Sequence, residues 1–234
     1  MAAFKFKEFT LFKNVHSHKL GTDAMLLGAF CQTEIGLRGL DAGAGSGVLG
    51  LMMAQKFPSM QVDCVEADPQ AHEECAYNLV HSPFSARMNA FCEDINSFKK
   101  PYAYDLIVSN PPYYFSNNPS TTKNKLQKHM DMESVEPWLA ACFSMLSPNG
   151  SFWIIYPENE SKRFEGLFHT LNLFPSESIG ILNQHGACIR KIAHLRKQSN
   201  TCDHTTFTLR DSNGDYSEAY KSLTHAFHHS LPKR

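Results

Sequence analysis

No stretch of this 234-residue chain stays apolar for the roughly 20 residues that a bilayer-crossing helix requires. The opening residues, Met1 to Phe9, are broken by Lys5, Lys7 and Glu8, so they lack the continuous apolar run of a secretory signal. Neither sign of charge dominates: 22 Lys and Arg face 23 Asp and Glu, a formal net charge of -1. A global basic field is thereby excluded, and any nucleic-acid surface must be a local patch. The seven cysteines are odd in number, scattered, and never spaced Cys-x-x-Cys, which argues against a disulfide framework or a zinc ribbon and suits a reducing cytoplasm. His225, His228 and His229 lie on one predicted helix but have no fourth ligand or acidic partner nearby, so no metal is expected. Internal repeats and low-complexity segments are absent as well.

With 42% hydrophobic residues the chain can bury an ordinary core, and its length fits one α/β domain better than two. Short apolar runs alternate with helical stretches from about residue 37. Strands are expected over Gly39 to Ala42, Gln61 to Glu66, Met88 to Cys92, Tyr104 to Ser109 and Ser151 to Tyr156. Helices are expected over Val48 to Lys56, Pro69 to Val80 and Glu136 to Leu146, the last closed by the turn Pro148-Asn149-Gly150. This alternation gives a mostly parallel sheet with helices on both faces. Past residue 175 the pattern turns to strands: Glu177 to Leu182 and Cys188 to Leu195 read as a hairpin forming an antiparallel edge. Thr205 to Leu209 and a helix over Ser217 to His229 follow. The expectation is a seven-stranded sheet in one domain, 1–234, comprising an N-terminal segment 1–36 over the ligand site, a core 37–200 and a C-terminal strand and helix 201–234. Ser116 to Lys128, a polar stretch directly after the fourth strand, reads as a mobile loop.

In an open parallel sheet, ligands bind beyond the carboxyl ends of the strands, beside the switch in strand order. Asp41-Ala-Gly43-Ala44-Gly45-Ser-Gly47 falls there, between a strand and a helix. Glycines let the backbone approach a ligand and adopt positive φ. Glu66 ends the next strand about 20 residues on, the separation expected of a carboxylate that accepts both ribose hydroxyls. The spacing is Gly-x-Gly-x-Gly, whereas dinucleotide binders use Gly-x-Gly-x-x-Gly to seat a pyrophosphate on the helix N-terminus. S-adenosylmethionine has no phosphate and suits the altered spacing. Asp94, ending the third strand, is placed to contact its adenine, and Ala67 and Ile95 adjoin the two acids.

Asn110-Pro111-Pro112-Tyr113 follows the fourth strand. An amino group conjugated to a ring is a poor nucleophile, because its lone pair is delocalised. Acceptors from the Asn110 side chain and the Pro111 carbonyl can take both N–H hydrogens and free that pair for attack on a sulfonium methyl. The prolines fix φ and remove backbone donors, and Tyr113 offers a face on which a flipped base can stack. No strong general base is required; catalysis is positioning by aimed dipoles.

These motifs resemble class I methyltransferases that act on amines. Lys19-Leu-Gly21-Thr22-Asp23-Ala-Met-Leu-Leu-Gly28, the glycine segment, Asn110-Pro-Pro-Tyr-Tyr-Phe115 and the tail Phe207-Thr-Leu-Arg-Asp-Ser-Asn-Gly-Asp-Tyr216 together resemble the bacterial tRNA(Val) adenine-N6 methyltransferases. The resemblance runs over nearly the full length and implies a Rossmann-like fold and methylation of the adenine just 3′ of the anticodon. It implies cofactor contacts at Gly43, Gly45, Gly47, Glu66, Asp94 and Asn110 and a further one near Thr22, which also fits a helix N-cap. The stretch from Phe115 to Glu133 departs from the family pattern in being richer in Lys and Asn.

Lys123, Lys125 and Lys128, with Arg190, Lys191, Arg196 and Lys197, form the expected RNA-binding patch around the pocket mouth. A target base must leave its stack to reach Asn110, which an anticodon loop permits more readily than a duplex. The rival readings are a protein-glutamine methyltransferase of the release-factor type, an rRNA guanine-N2 methyltransferase and a non-catalytic cofactor-binding module. The first would carry a helical domain ahead of the glycine turn, where only about 40 residues stand. The second tends to carry Phe in place of Tyr113.

Overall fold

A computed structural model of the chain describes residues 2–13, 21–111, 132–198 and 201–228. The chain opens with a two-stranded antiparallel ribbon, β1 (Ala2–Lys5) and β2 (Thr10–Lys13), followed by helix α1 (Thr22–Phe30). The core then runs β3 (Arg38–Ala42), α2 (Val48–Lys56), β4 (Gln61–Glu66), α3 (Pro69–Val80), β5 (Met88–Cys92) and β6 (Tyr104–Ser109). It continues through α4 (Met132–Ser144), β7 (Leu146–Pro157), α5 (Ser161–Thr170), β8 (Phe174–Leu182), β9 (Cys188–Arg196), β10 (Asp203–Thr208) and α6 (Glu218–Thr224).

Among the described residues the main sheet has eight strands, in the order β10-β8-β9-β7-β6-β3-β4-β5. Strands β3 to β7 pair in parallel, and β9 alone runs against the rest, antiparallel to both β7 and β8. Two sequence expectations are corrected here. The sheet has eight strands where seven were expected, and the late hairpin is not its edge, because β10 adds outside β8 in parallel. The turn Pro148-Asn149-Gly150 lies inside β7, where the pairing steps from Tyr104↔Leu146 to Leu106↔Ser151 and the intervening residues bulge out.

Side-chain alternation explains why both faces of the sheet are covered. Leu106 and Val108 of β6 and Trp153 and Ile155 of β7 join one buried cluster, with α1, α2 and α3. Ile107, Phe152, Ile154 and Tyr156 join the other, with α4 and α5. Helix α1 is buried from Ala24 to Ala29, and its last carbonyls, of Ala29 and Cys31, both accept from the Lys56 ammonium at 2.6 Å. None of the seven cysteines is disulfide-bonded. Among the described residues no helix is long and apolar enough to cross a membrane, and no group of three or more His, Cys, Asp and Glu could hold a metal ion.

Candidate active site

The site is assembled at the carboxyl ends of β3, β4 and β6. Asp41 of β3 pairs with Cys64 of β4 and Val108 of β6, so the three strands leave the sheet side by side. The Ser109 hydroxyl donates to the Ala42 carbonyl at 2.6 Å and locks the exit of β6 to that of β3. Beyond this lock stand the glycine turn on one side and Asn110, half-buried, with buried Pro111 on the other. Pro112, Tyr113 and the stretch Ser116–Lys128 expected as a loop, with its Lys123, Lys125 and Lys128, lie outside the described residues.

The turn is shaped by backbone bonds that only its glycines permit. Gly43, Gly45 and Gly47 have φ of 74°, 54° and 80°. The amides of Gly43 and Ala44 both donate to the Val65 carbonyl at 3.0 Å, which pins the turn onto β4. The Glu66 carboxylate closes it from the far side: one oxygen accepts from the Gly45 amide and the other from the Asp68 amide, each at 2.9 Å. A carboxylate oxygen carries two lone pairs, so both can still accept from a ligand hydroxyl. Ala44 is buried in the core, and Ala67 is half-buried beside Glu66.

A methyl group added at Gly43 or Gly45 would meet no atom within 4 Å, so both face open space. Added at Gly47 it would press on Leu79 Cδ1 at 2.8 Å and Cys75 Sγ at 2.9 Å of α3. The turn therefore has an open side and a packed side. The open side, with Glu66 beside it, fits a ligand that brings hydroxyls and needs close backbone approach, as the ribose and methionine portions of S-adenosylmethionine do.

Asp41 is fully buried; its Oδ2 accepts from the Gly50 amide at 2.8 Å and so braces the first turn of α2. Burial raises its pKa to about 7; the Gly50 bond opposes this rise and the nearby Glu66 adds to it. Asp94 lies exposed just after β5, its Oδ1 accepting from both the backbone and side-chain amides of Asn96 at 2.9 Å. Ile95 is buried in the α4–α5 cluster, so its side chain anchors that loop. Thr22 is the first residue of α1; Gly21 occupies the cap position and no side-chain cap bond forms, contrary to the N-cap alternative.

The basic residues of the late hairpin do not form one patch. Arg190 pairs with Pro157 and Lys191 with Tyr156, at the site end of the sheet, whereas Arg196 begins the opposite end, level with Phe174. At ~3.3 Å per residue, Arg196 is about 20 Å from Arg190 along the strand. Alternation also sends neighbours to opposite faces. Arg190 bonds Asp23 of α1 at 2.9 Å, while Lys191 bonds Glu165 of α5 at 3.0 Å. Arg196 reaches Glu34 at 3.3 Å, and Lys197 donates to the Leu146 carbonyl at 2.5 Å.

Three residues of the site frame lie outside the site motifs read from the sequence. Ser109 was expected only as the end of a strand. Asp68, beside Pro69, has the sequence signature of a cap, and its side chain does accept from the amides of Gln70 and Ala71. Asn78 lies inside a helix, where nothing in the sequence marks it.

The methyltransferase small domain family matches this chain over residues 9–174. Solved methyltransferases share the fold. A predicted O-methyltransferase from Agrobacterium tumefaciens superposes with a TM-score of 0.67 at 18% identity, covering 87% of this chain and 96% of that one. The N-methyltransferase NodS from Bradyrhizobium japonicum gives 0.52 at 17%, covering 74% and 91%.

Among relatives in sequence, the tRNA1(Val) (adenine(37)-N6)-methyltransferase of Bacteroides fragilis is 32% identical over 231 residues, 96% of this chain and 97% of its own. Its namesake in Pedobacter heparinus is 33% identical over 228 residues, with 96% and 97% covered. The chain belongs to the methyltransferase small domain family and, within it, to the family of the tRNA1(Val) (adenine(37)-N6)-methyltransferases.

Proposed function

We propose that this chain is an S-adenosylmethionine-dependent enzyme that methylates the exocyclic N6 amine of an adenine in tRNA, at position 37 as in the names of its relatives. The observation that carries the reading is the Ser109–Ala42 bond, which sets Asn110-Pro111 at the strand exit beside the open glycine turn. A bound S-adenosylmethionine supplies an electrophilic methyl on a positively charged sulfur. Glu66 takes the ribose hydroxyls, while the open sides of Gly43 and Gly45 let the backbone approach the ligand. Asp41 acts through the turn, by bracing α2. Asp94 borders the adenine, with Ile95 holding its loop from below and Thr22 on the neighbouring rim.

The Asn110 side-chain oxygen and the Pro111 carbonyl accept the two hydrogens of the adenine amine. That geometry draws the nitrogen lone pair out of the ring and aims it across the short gap between the two strand exits. As the N–CH3 bond formed, the sulfonium S–CH3 bond would break and leave a neutral thioether, and the amine, now carrying the positive charge, would release its proton to water. Pro112 and Tyr113 complete the clamp, Tyr113 as the stacking face for the flipped base. Arg190, at the site end of β9, is the described basic residue best placed to meet the RNA backbone. The whole chain works as one catalytic unit. Its first strands and its tail are already joined by the Lys7 amide donating to the Phe227 carbonyl at 2.9 Å.

The deciding experiment incubates the protein with total tRNA and methyl-labelled cofactor, then digests the RNA to nucleosides. N6-methyladenosine in a valine tRNA is expected. Label recovered only in protein, or only in guanosine, would overturn the assignment.

A further inference from the structure

Asn78 is fully buried on α3, far along the helix from any sequence motif, yet its side chain makes three hydrogen bonds to two other segments. Its Oδ1 accepts from the Phe12 amide at 2.8 Å, and its Nδ2 donates to the Phe12 carbonyl at 2.9 Å. The carboxamide thus pairs with β2 as a neighbouring strand would. The second Nδ2 hydrogen goes to the Ser46 carbonyl of the glycine turn, also at 2.9 Å. Cys75 and Leu79, on the same face of α3, pack against the back of Gly47 in that turn. Phe12 is further held by the edge of its ring against Tyr77, centroids 5.5 Å apart.

We propose that Asn78 is a positioning residue that couples docking of the N-terminal ribbon to the shape of the cofactor turn. Loss of this amide would leave the Phe12 amide, the Phe12 carbonyl and the Ser46 carbonyl without their partner at once. Each is costly to bury unpaired. The turn would then lose its tether at Ser46, while Glu66 still held Gly45. Coupling of this kind is reciprocal: whatever fixes the turn must also steady the ribbon at Phe12. The inference rests on reading Gly43 to Gly47 as the cofactor turn, and it makes no use of the RNA.

The test uses the full-length protein and S-adenosylhomocysteine as the probe. In the unaltered protein, the probe should slow hydrogen exchange in a peptide carrying the Phe12 amide, although that amide makes its bond to Asn78 rather than to the glycine turn. Asn78→Leu should weaken probe binding by about tenfold, the effect of one buried hydrogen bond, and should abolish the response at Phe12. Turnover at saturating cofactor should stay within about threefold of the unaltered rate, since Asn110 and Pro111 are untouched. Phe168→Leu, a core change in the α4–α5 cluster, serves as the control for general loss of stability and should leave probe binding intact.

Two results overturn the proposal. One is probe bound with no change in exchange at Phe12, a measurement that needs no variant and decides the matter even if Asn78→Leu fails to fold. The other is a folded Asn78→Leu that binds the probe as tightly as the unaltered protein. A protein that binds the probe and shows the coupling, yet methylates no adenosine, would sink the proposed function and leave this inference standing.

Discussion

The two sides of the glycine turn can be separated by placing one methyl group on each. Gly43→Ala and Gly47→Ala both force a side chain into positive φ, at 74° and 80°. Holding a non-glycine residue there costs about 1–2 kcal/mol. At Gly43 that is the whole cost, because the new methyl meets nothing within 4 Å. At Gly47 it adds to contacts of 2.8 Å and 2.9 Å with Leu79 and Cys75, and crowding of this kind costs about 1–3 kcal/mol more. At about 2–4 °C per kcal/mol for a domain of this size, Gly43→Ala should melt roughly 2–8 °C below the unaltered protein. Gly47→Ala should melt roughly 2–12 °C lower again.

Cofactor affinity should rank the other way. The Gly43 methyl projects into the cleft and should weaken binding by roughly 10- to 100-fold, whereas the Gly47 methyl faces the core. Differential scanning fluorimetry without ligand and calorimetric titration with S-adenosylhomocysteine give the two rankings independently. Equal melting temperatures for the two variants, or the greater loss of affinity at Gly47, would refute the assignment of open and packed sides.

Three further outcomes are expected. Asn110→Ala should bind S-adenosylhomocysteine nearly as well as the unaltered protein while losing orders of magnitude in turnover; lost binding with no separate rate effect would place Asn110 in the cofactor pocket alone. Arg196→Ala with Lys197→Ala should leave the KM for tRNA within about twofold, while Arg190→Ala should raise it and flatten its salt dependence by about 0.7–0.9 log unit per log unit of salt. The third concerns pH. Asp41 is raised to about 7 by burial, so the folded state holds its proton between about pH 4 and 7 where the unfolded chain has lost it, and its contribution to stability falls as pH rises through that window. His194 acts in reverse. It is lowered to about 4, chiefly by burial and then by Arg196, so its contribution is present above about pH 6.5 and is lost as pH falls toward 4. The two oppose each other between about pH 4 and 6.5. Relative to the unaltered protein, the slope of stability against pH should become more positive in Asp41→Asn and more negative in His194→Gln, by at most about 1.4 kcal/mol per pH unit. Urea melts across that range would show it, and unchanged slopes would contradict the burial of these groups.

Much of the core was legible because its signals are local. Val48–Lys56, Gln61–Glu66, Pro69–Val80, Met88–Cys92 and Tyr104–Ser109 lie where their apolar periods and the helix start at Pro69 place them. The β1–β2 ribbon was missed although Phe4-Lys5-Phe6-Lys7 alternates with period two; the lysines that excluded a signal sequence also hid a strand. Helix α5 was missed although Phe164, Leu167 and Phe168 mark one face. The place of β10 beside β8 was not legible, because no local feature names a strand's partner. The separation of Arg190, Lys191, Arg196 and Lys197 was hidden for a related reason: residues adjacent in a strand point to opposite faces, and Arg190 and Arg196 lie at opposite ends of β9. At the site, the glycine turn and Glu66 announce themselves by spacing. Asn78 and Ser109 do not, since their roles come from the segments that pack on them.

The strand order also governs how this chain must be made. β7 carries Phe152-Trp153-Ile154-Ile155-Tyr156, and its partner on the outer side is β9, which follows β8 in the chain. Until residues 188–196 have been synthesised, that edge of the growing sheet has no neighbour, and β8 has no place to pair. At about 5–20 residues per second the exposed interval lasts seconds, with an aromatic and β-branched strand open to edge-to-edge association. Slow translation between β7 and β9, or truncation before β9, should therefore favour aggregation during biosynthesis, even though the finished sheet buries Phe152 to Tyr156.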